Sequence, residues 1–357
     1  MKVIAITELE PLEAANGRSL RFWHLCEQGN YQCYFLSSMP EVDLINKEPL
    51  KWRNLIKNDY STLIKSCISH QEHGGKLFVQ GLELALRLRE SGVTPDFVDI
   101  VDSYSVYFSR RFRFLHWSNF LKRSNALLQF FRNRIIERKA KSVSWTLLAA
   151  AETDARAFLG GAATVVSAPN GSEWVDAPPL YYKRRNAYVL GFHGIMTWDP
   201  NVSAVEYIVH ELMPHILNRN PDAEFRIIGG PVVSRIAALS SQRGVKVMGQ
   251  VEDMRAVLSE VDVYVMPMLQ GSGVKNKLME AMAAGIPLVT NTRGAEAFFP
   301  KITPHILLAE EPTALADAIC SLLASEAMRD RLSITARAFA VEHFKSKSLM
   351  EWIQSTH

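Results

Sequence analysis

Between Gly271 and Glu280 the chain reads Gly-Ser-Gly-Val-Lys-Asn-Lys-Leu-Met-Glu. The Gly271-Ser272-Gly273 turn is flexible enough to bring backbone N–H groups against an anion. Lys275 and Lys277 fall where a helix is expected to begin, the end at which cations work against the helix dipole. A cation placed there at a cost is explained if a phosphate binds beside it. Glu280 lies one turn beyond Lys277, on the same face. A carboxylate next to a phosphate site suits hydroxyl donors such as those of a ribose. The same residues also fit a plain loop followed by a simple Lys277–Glu280 pair, since glycine turns are weak signals.

The flanking sequence supplies the elements that would position these groups. Val261–Met266 is a continuous apolar run and reads as a strand buried on both faces. Pro267 ends it. A helix is expected from about Val274 to Ala284, with Gly285 as its stop and Pro287 just beyond. Ile286–Thr290 reads as the next strand. This strand–turn–helix–strand order puts the helix N-terminus at the carboxyl edge of a parallel sheet.

The run from Gly273 to Pro287, GVKNKLMEAMAAGIP, resembles the donor-binding segment of retaining glycosyltransferases of the GT-B fold, family 4 (group 1). It is similar in particular to sugar transferases associated with exopolysaccharide clusters. The resemblance implies that Gly271, Ser272, Gly273, Val274, Lys275 and Lys277 surround the donor diphosphate, with Lys277 catalytic through charge, and that Glu280 holds the ribose. The fuller family pattern has a second glutamate at the place of Ser272, where it contacts the donor sugar. The stretch GFHGIMTWDPN resembles the opening of the family's second domain, which brings Gly194 to the same site. Many members carry an Arg and a Lys after that glycine; residues 195–201 contain neither, so Lys277 would carry most of the diphosphate. His193 could face the ligand, but a packed histidine is the favoured reading. In related enzymes the loop at Gly249-Gln250-Val251 supplies backbone contacts to the base, so Val251 joins the donor set. Gly17, in Asn16-Gly17, matches a loop lying against the donor phosphates, and Asn-Gly is also a common turn pair.

The chain has 357 residues, with 48% hydrophobic and 22% charged residues and a net charge of +3. That length suits two domains rather than one core. The small charge argues against global binding to a polyanion such as nucleic acid. Cys26, Cys33, Cys67 and Cys320 have no C-x-x-C or metal-type spacing, which favours reduced thiols and a cytoplasmic protein. No apolar run reaches membrane-spanning length. The first residues, MKVIAITELEPLEA, read as a strand rather than a signal peptide.

In order, strands are expected at Val3–Thr7 and Tyr31–Leu36, with a helix starting at Arg18. Residues 40–75 are ambiguous, with helical pieces. Leu77–Arg89 reads as an amphipathic helix. Phe97–Val101 is a buried strand ending in Asp102 and Ser103, so Asp102 is a second catalytic candidate. The alternative is that Asp102 or Ser103 caps a helix. Val143–Ala150 and Thr164–Ser167 read as strands around a helix at Glu152–Leu159. Residues 172–187 look like a linker. The second half continues with strands at Tyr188–Phe192, Glu224–Ile228 and Val245–Met248, then helices at Pro312–Leu323 and Ala327–Val341. Trp352 and Ile353 suit a final helix.

Residues 108–141 contain ten Lys or Arg and seven aromatics against one acid, Glu137. Arg110, Arg111, Arg113, Trp117, Lys122 and Arg123 could meet an acidic acceptor or lie on an anionic bilayer. The alternative is a solvated helix with aromatics packed inward.

Alternating strands and helices argue for an α/β fold with two parallel domains. As GT-B domains they would face each other across a cleft, at 1–178 and 179–340, with 341–357 crossing back. The resemblance implies a metal-independent enzyme without cofactor that uses a UDP- or GDP-sugar and a glycan or lipid-linked acceptor. A nucleotide-sugar sensor and a sugar-nucleotide epimerase are the other two classes the residues allow.

Overall fold

A computed structural model describes residues 3–7, 21–22, 25–26, 32–35, 56–57, 60–116, 119–180, 188–347 and 351. The chain divides into two compact units, 1–171 with 346–357, and 172–345. The expected sites Gly17 and Trp117, and the final helix at Trp352 and Ile353, lie outside the described residues.

Among the described residues, the first unit holds a seven-stranded sheet in the order β3-β2-β1-β4-β5-β6-β7. Its strands are β1 Val3–Thr7, β2 Gln32–Phe35, β3 Ile56–Lys57, β4 Lys76–Gln80, β5 Phe97–Val101, β6 Thr146–Ala149 and β7 Thr164–Ser167. Every pairing is parallel. Alternate residues feed different cores, as a period of two requires. Ile4, Ile6, Leu77 and Val79 join one apolar cluster, while Val3, Ala5 and Phe78 join another. A buried polar chain ties the sheet together. Arg21 Nε donates to Asp99 Oδ1 at 2.8 Å and Arg21 Nη1 to Asn170 Oδ1 at 3.0 Å. Gln80 Nε2 donates to Asp99 Oδ2 at 3.0 Å and Thr7 Oγ1 to Gln80 Oε1 at 3.0 Å.

The helix expected at Leu77–Arg89 is corrected by the structure. Lys76–Gln80 is β4, and the helix spans only Leu82–Glu90. The run KLFVQ is short and apolar, a pattern that does not separate a central strand from a buried helix turn. Glu152–Leu159 is likewise shorter than expected: an α-helix at Glu152–Ala155 passes into a 3-10 turn at Arg156–Phe158.

The second unit is a six-stranded parallel sheet in the order β10-β9-β8-β11-β12-β13. Its strands are β8 Val189–His193, β9 Glu224–Ile228, β10 Val245–Gly249, β11 Val263–Met266, β12 Leu288–Thr290 and β13 Leu307–Leu308. The expected strands and the two late helices, at Pro312–Ala324 and Glu326–His343, lie within a few residues of their expected bounds. A helix from Asp199 to Tyr207 opens into a π turn at Ile208–Leu212 before Met213–Arg219. Pro214 has no N–H to continue an ordinary helix there. Residues 172–178 belong to this unit and are not a loose linker. Arg337 donates to the carbonyls of Trp174, Val175 and Ala177 at 2.8–2.9 Å.

Strand order in the second sheet reverses between β8 and β11. Crevices outside the carboxyl ends of strands at such a reversal are where ligands bind in open α/β sheets.

Candidate nucleotide-sugar site

The loop after β11 leads into a helix at Asn276–Ala284 that ends at Gly285. This helix returns the chain to β12. Its N-terminus therefore stands at the carboxyl edge, beside the end of β8, as the sequence implies. Gly271 and Gly273 have φ of +101° and +72°, a left-handed backbone that side chains resist. The turn between them is held from inside. Lys275 Nζ donates to the carbonyls of Ser272 and Gly273 at 3.1 and 2.7 Å and pairs with Glu296 at 3.2 Å. Lys275 is thus buried and satisfied by its own loop; its geometry is that of a loop brace rather than an anion ligand. Val274 is half-buried against the core of the unit.

Lys277 is placed differently. Its Nζ donates to Asn201 Oδ1 at 2.7 Å and stands 5.2 Å from the centroid of the Phe192 ring. Asn201 in turn donates to the Ile195 carbonyl at 2.9 Å. Burial lowers the Lys277 ammonium to about 8; the charge of Glu280 pulls it up and that of Lys275 pushes it further down. An anion alongside would reverse that shift. Gly194, the last residue of the β8 turn, has φ of +152°. A Cβ there would lie 2.7 Å from Asn201 Nδ2 and 3.2 Å from Lys277 Cε. Gly194 is therefore required by the close approach of these two side chains.

Glu280 does not pair with Lys277. Its Oε2 meets His193 Nε2 at 2.6 Å. Burial pushes the Glu280 carboxyl up, but the hydrogen bond and charge of His193, with Lys277, hold it below the usual carboxylate value. His193 Nδ1 meets the hydroxyl of fully buried Tyr264 at 2.8 Å. The His193 ring also stacks parallel to Trp174, with centroids 6.4 Å apart. His193 is thus a packed histidine that also joins a polar cluster with Glu280 and Tyr264.

Gly194, Gly271, Ser272, Gly273, Lys277 and Glu280 thus belong to one edge of one sheet. Val251 is half-buried in the loop after β10, where Asp253 caps the next helix by accepting from Ala256 N at 3.0 Å. Sequence reasoning missed Asn201, Tyr264 and Trp174. The helix Asp199–Tyr207 has no side-chain cap, and Asn201 in its first turn faces Lys277.

In the first unit, Asp102 follows Val101, which has φ of +53°. A β-branched residue in that region is strained. Ser103, not Asp102, caps the helix Tyr104–Phe114, accepting from Val106 N at 3.3 Å. Glu137, the lone acid of the basic segment, is buried and accepts from Ser103 Oγ, Ser105 N and Ser105 Oγ at 2.9, 3.0 and 2.5 Å. Asp102 lines a cavity of about 310 Å³ with Tyr104, Phe108, Gln129 and Asn133.

The basic segment forms two helices, Tyr104–Phe114 and Phe120–Lys141. Arg123 joins them, donating to the Leu115 carbonyl at 2.7 Å with its guanidinium 4.2 Å from the Phe112 ring centroid. Arg111 donates to Tyr107 Oη at 3.1 Å, and Arg110 is half-buried. Arg113 and Lys122 are exposed. The expectation of aromatics packed inward fails for part of the segment. Phe120, Leu121, Leu128, Phe131 and Ile135 are 56–82% exposed. Leu121, Leu128, Phe131 and Ile135 recur at spacings that share one helix face.

Among the described residues, no group of three or more His, Cys, Asp or Glu side chains could hold a metal ion. No helix among them is long and apolar enough to cross a membrane.

Residues 187–325 match the family model described as glycosyl transferases group 1. A phosphatidyl-myo-inositol mannosyltransferase of Mycobacterium leprae is 30% identical over 149 residues, which are 38% of this chain and 38% of that relative. Among solved structures, sucrose-phosphate synthase from Thermosynechococcus elongatus aligns with a TM-score of 0.70 at 15% identity, covering 100% of this chain and 98% of that one. Anabaena HepE in complex with UDP-glucose aligns at 0.67 and 14% identity, covering 99% and 98%. At such identities the structural likeness speaks for the fold. Residues 187–325 are thus similar to the group 1 glycosyltransferases, and the two parallel sheets have the GT-B fold.

Proposed function

We propose that this protein transfers a sugar from a nucleoside diphosphate sugar to a hydroxyl acceptor with retention at the anomeric carbon. The observation that carries the reading is the half-buried Lys277 ammonium at a helix N-terminus, within the same edge as Gly194 and Glu280. The diphosphate would lie against Lys277, the helix N-terminus and the Gly271–Gly273 turn. The ribose would lie on Glu280. As the bond from the anomeric carbon to the phosphate oxygen breaks, negative charge grows on the diphosphate. Lys277 and the backbone N–H groups stabilise that charge more in the transition state than in the ground state. The acceptor oxygen bonds to the anomeric carbon on the face the phosphate leaves. Its proton passes to the departing phosphate oxygen, and nucleoside diphosphate is released.

The donor is proposed to be a UDP- or GDP-sugar. The solved complex of HepE with UDP-glucose, and the mannosyltransferase named above, support that class without choosing between the two. The acceptor is proposed to be a glycan or a lipid-linked sugar, with Asp102 and its cavity on the acceptor side. The exposed apolar face of helix Phe120–Lys141, rimmed by Lys122, Arg134 and Arg138, fits a peripheral helix on an anionic bilayer. Synthesis of surface polysaccharide or glycoconjugate at the cytoplasmic face of a membrane would use both features.

The test is release of nucleoside diphosphate from a panel of UDP- and GDP-sugars, with and without glycan acceptors. Acceptor-dependent release from one donor supports transfer. Tight donor binding with no release under any acceptor would instead indicate a sensor.

A further inference from the structure

We infer that His193 and Tyr264 form a positioning pair that fixes Glu280 for the ribose of the nucleotide. The inference rests on the donor reading above and adds two residues to it.

The Tyr264 ring is fully buried in β11 and stacks on Phe192, with centroids 6.4 Å apart and planes at 13°. The phenol oxygen accepts the backbone N–H of His193 at 3.1 Å. The same oxygen stands 2.8 Å from Nδ1 of the same histidine. Having taken one N–H, the hydroxyl still has its own proton to donate, and Nδ1 is the acceptor beside it. The opposite tautomer would aim two N–H groups at one phenol oxygen and leave its proton without an acceptor in a buried site, which is costly.

In the neutral ring Nδ1 therefore accepts and the hydrogen sits on Nε2, and a charged ring carries a hydrogen on Nε2 as well. Nε2 is 2.6 Å from Glu280 Oε2. Trp174, parallel to the imidazole within 3°, limits rotation of the ring. One oxygen of Glu280 is thus held by a donor of fixed direction. The other oxygen has no hydrogen-bond partner among the described residues. A carboxylate held this way is preset to accept ribose hydroxyls without first losing side-chain freedom. The three residues come from β8, β11 and the helix Asn276–Ala284, so the pair also couples the two strands at the reversal point to the ribose.

Binding of UDP and GDP is compared with that of their 2′-deoxy and 2′,3′-dideoxy forms, by titration calorimetry on wild type, His193→Ala, His193→Gln and Tyr264→Phe. Wild type is expected to prefer the ribose form of its nucleotide by roughly tenfold or more. In His193→Ala that preference should shrink to about twofold or less, with affinity for the dideoxy form unchanged. Tyr264→Phe keeps the ring packing and should lose part of the preference. His193→Gln should regain part of it, because its amide N–H can reach a carboxylate. Equal weakening of ribose and dideoxy forms, or an undiminished ribose preference in His193→Ala, would overturn the inference. Failure of wild type to bind either diphosphate would overturn the donor reading itself, and this inference with it.

Discussion

Lys277 is the residue whose charge the account depends on, and its protonation gives a prediction with a definite sign. Burial sets the ammonium at about 8 in the free protein. A diphosphate beside it favours the charged form, so binding raises that value. Affinity for nucleoside diphosphate should be full at pH well below the free value and fall as pH rises through about 8. Above that point binding should take up a proton, visible as a buffer-dependent enthalpy in calorimetry. Affinity that rises with pH over this range would mean that the neutral amine is the binding form. Asn201 and Tyr264 were not legible in the sequence as site residues. They meet Lys277 and His193 across 76 and 71 positions, and no local pattern records such a contact. Lys275 shows the converse. Its spacing marks it as an anion ligand, and only the three-dimensional loop reveals that its ammonium is taken by two carbonyls and Glu296.

At the scale of elements, the β11–helix–β12 unit could be read almost whole. A buried apolar run, a proline, paired glycines and a helix stop at Gly285 are local signals, and each acts where it stands. The error at Leu77–Arg89 has the opposite cause. Leu77, Leu84 and Leu88 fall at helical spacing, yet β4 is a strand because β1 and β5 flank it. The turn at Gly194 gives this scale its prediction. Gly194→Ala would press a methyl carbon against Asn201 and Lys277 in a backbone region that side chains rarely adopt. The expected cost is about 1–3 kcal/mol of stability. Chemical denaturation should show that loss, and donor affinity should fall with it because Lys277 must shift. An alanine variant with wild-type stability and donor affinity would show that this edge has more room than the contacts indicate.

At the scale of the whole molecule, each unit is a parallel sheet with its own core, and the alternation of strands and helices made that plain from sequence. The direction of the apolar stripe on helix Phe120–Lys141 was not plain. Composition gives ten cations among seven aromatics, but not which aromatics turn outward. With Leu121, Leu128, Phe131 and Ile135 exposed, the protein should co-sediment with vesicles containing anionic phosphatidylglycerol and not with purely zwitterionic vesicles. Binding should weaken as salt rises. Replacing Arg113, Lys122, Arg134 and Arg138 by glutamine should cost about 1 kcal/mol per charge near the surface, enough to abolish co-sedimentation. Undiminished co-sedimentation of that variant would exclude a basic contact through this face.

The most direct measurement is calorimetric titration of UDP and GDP into wild type and Lys277→Ala, both confirmed folded by thermal unfolding. The account predicts binding of one diphosphate to wild type and a loss of about 10- to 100-fold in the variant, the value of a hydrogen bond to a charged group. Equal affinity in the two proteins would contradict it, because the diphosphate would then lie away from the helix N-terminus that Lys277 guards.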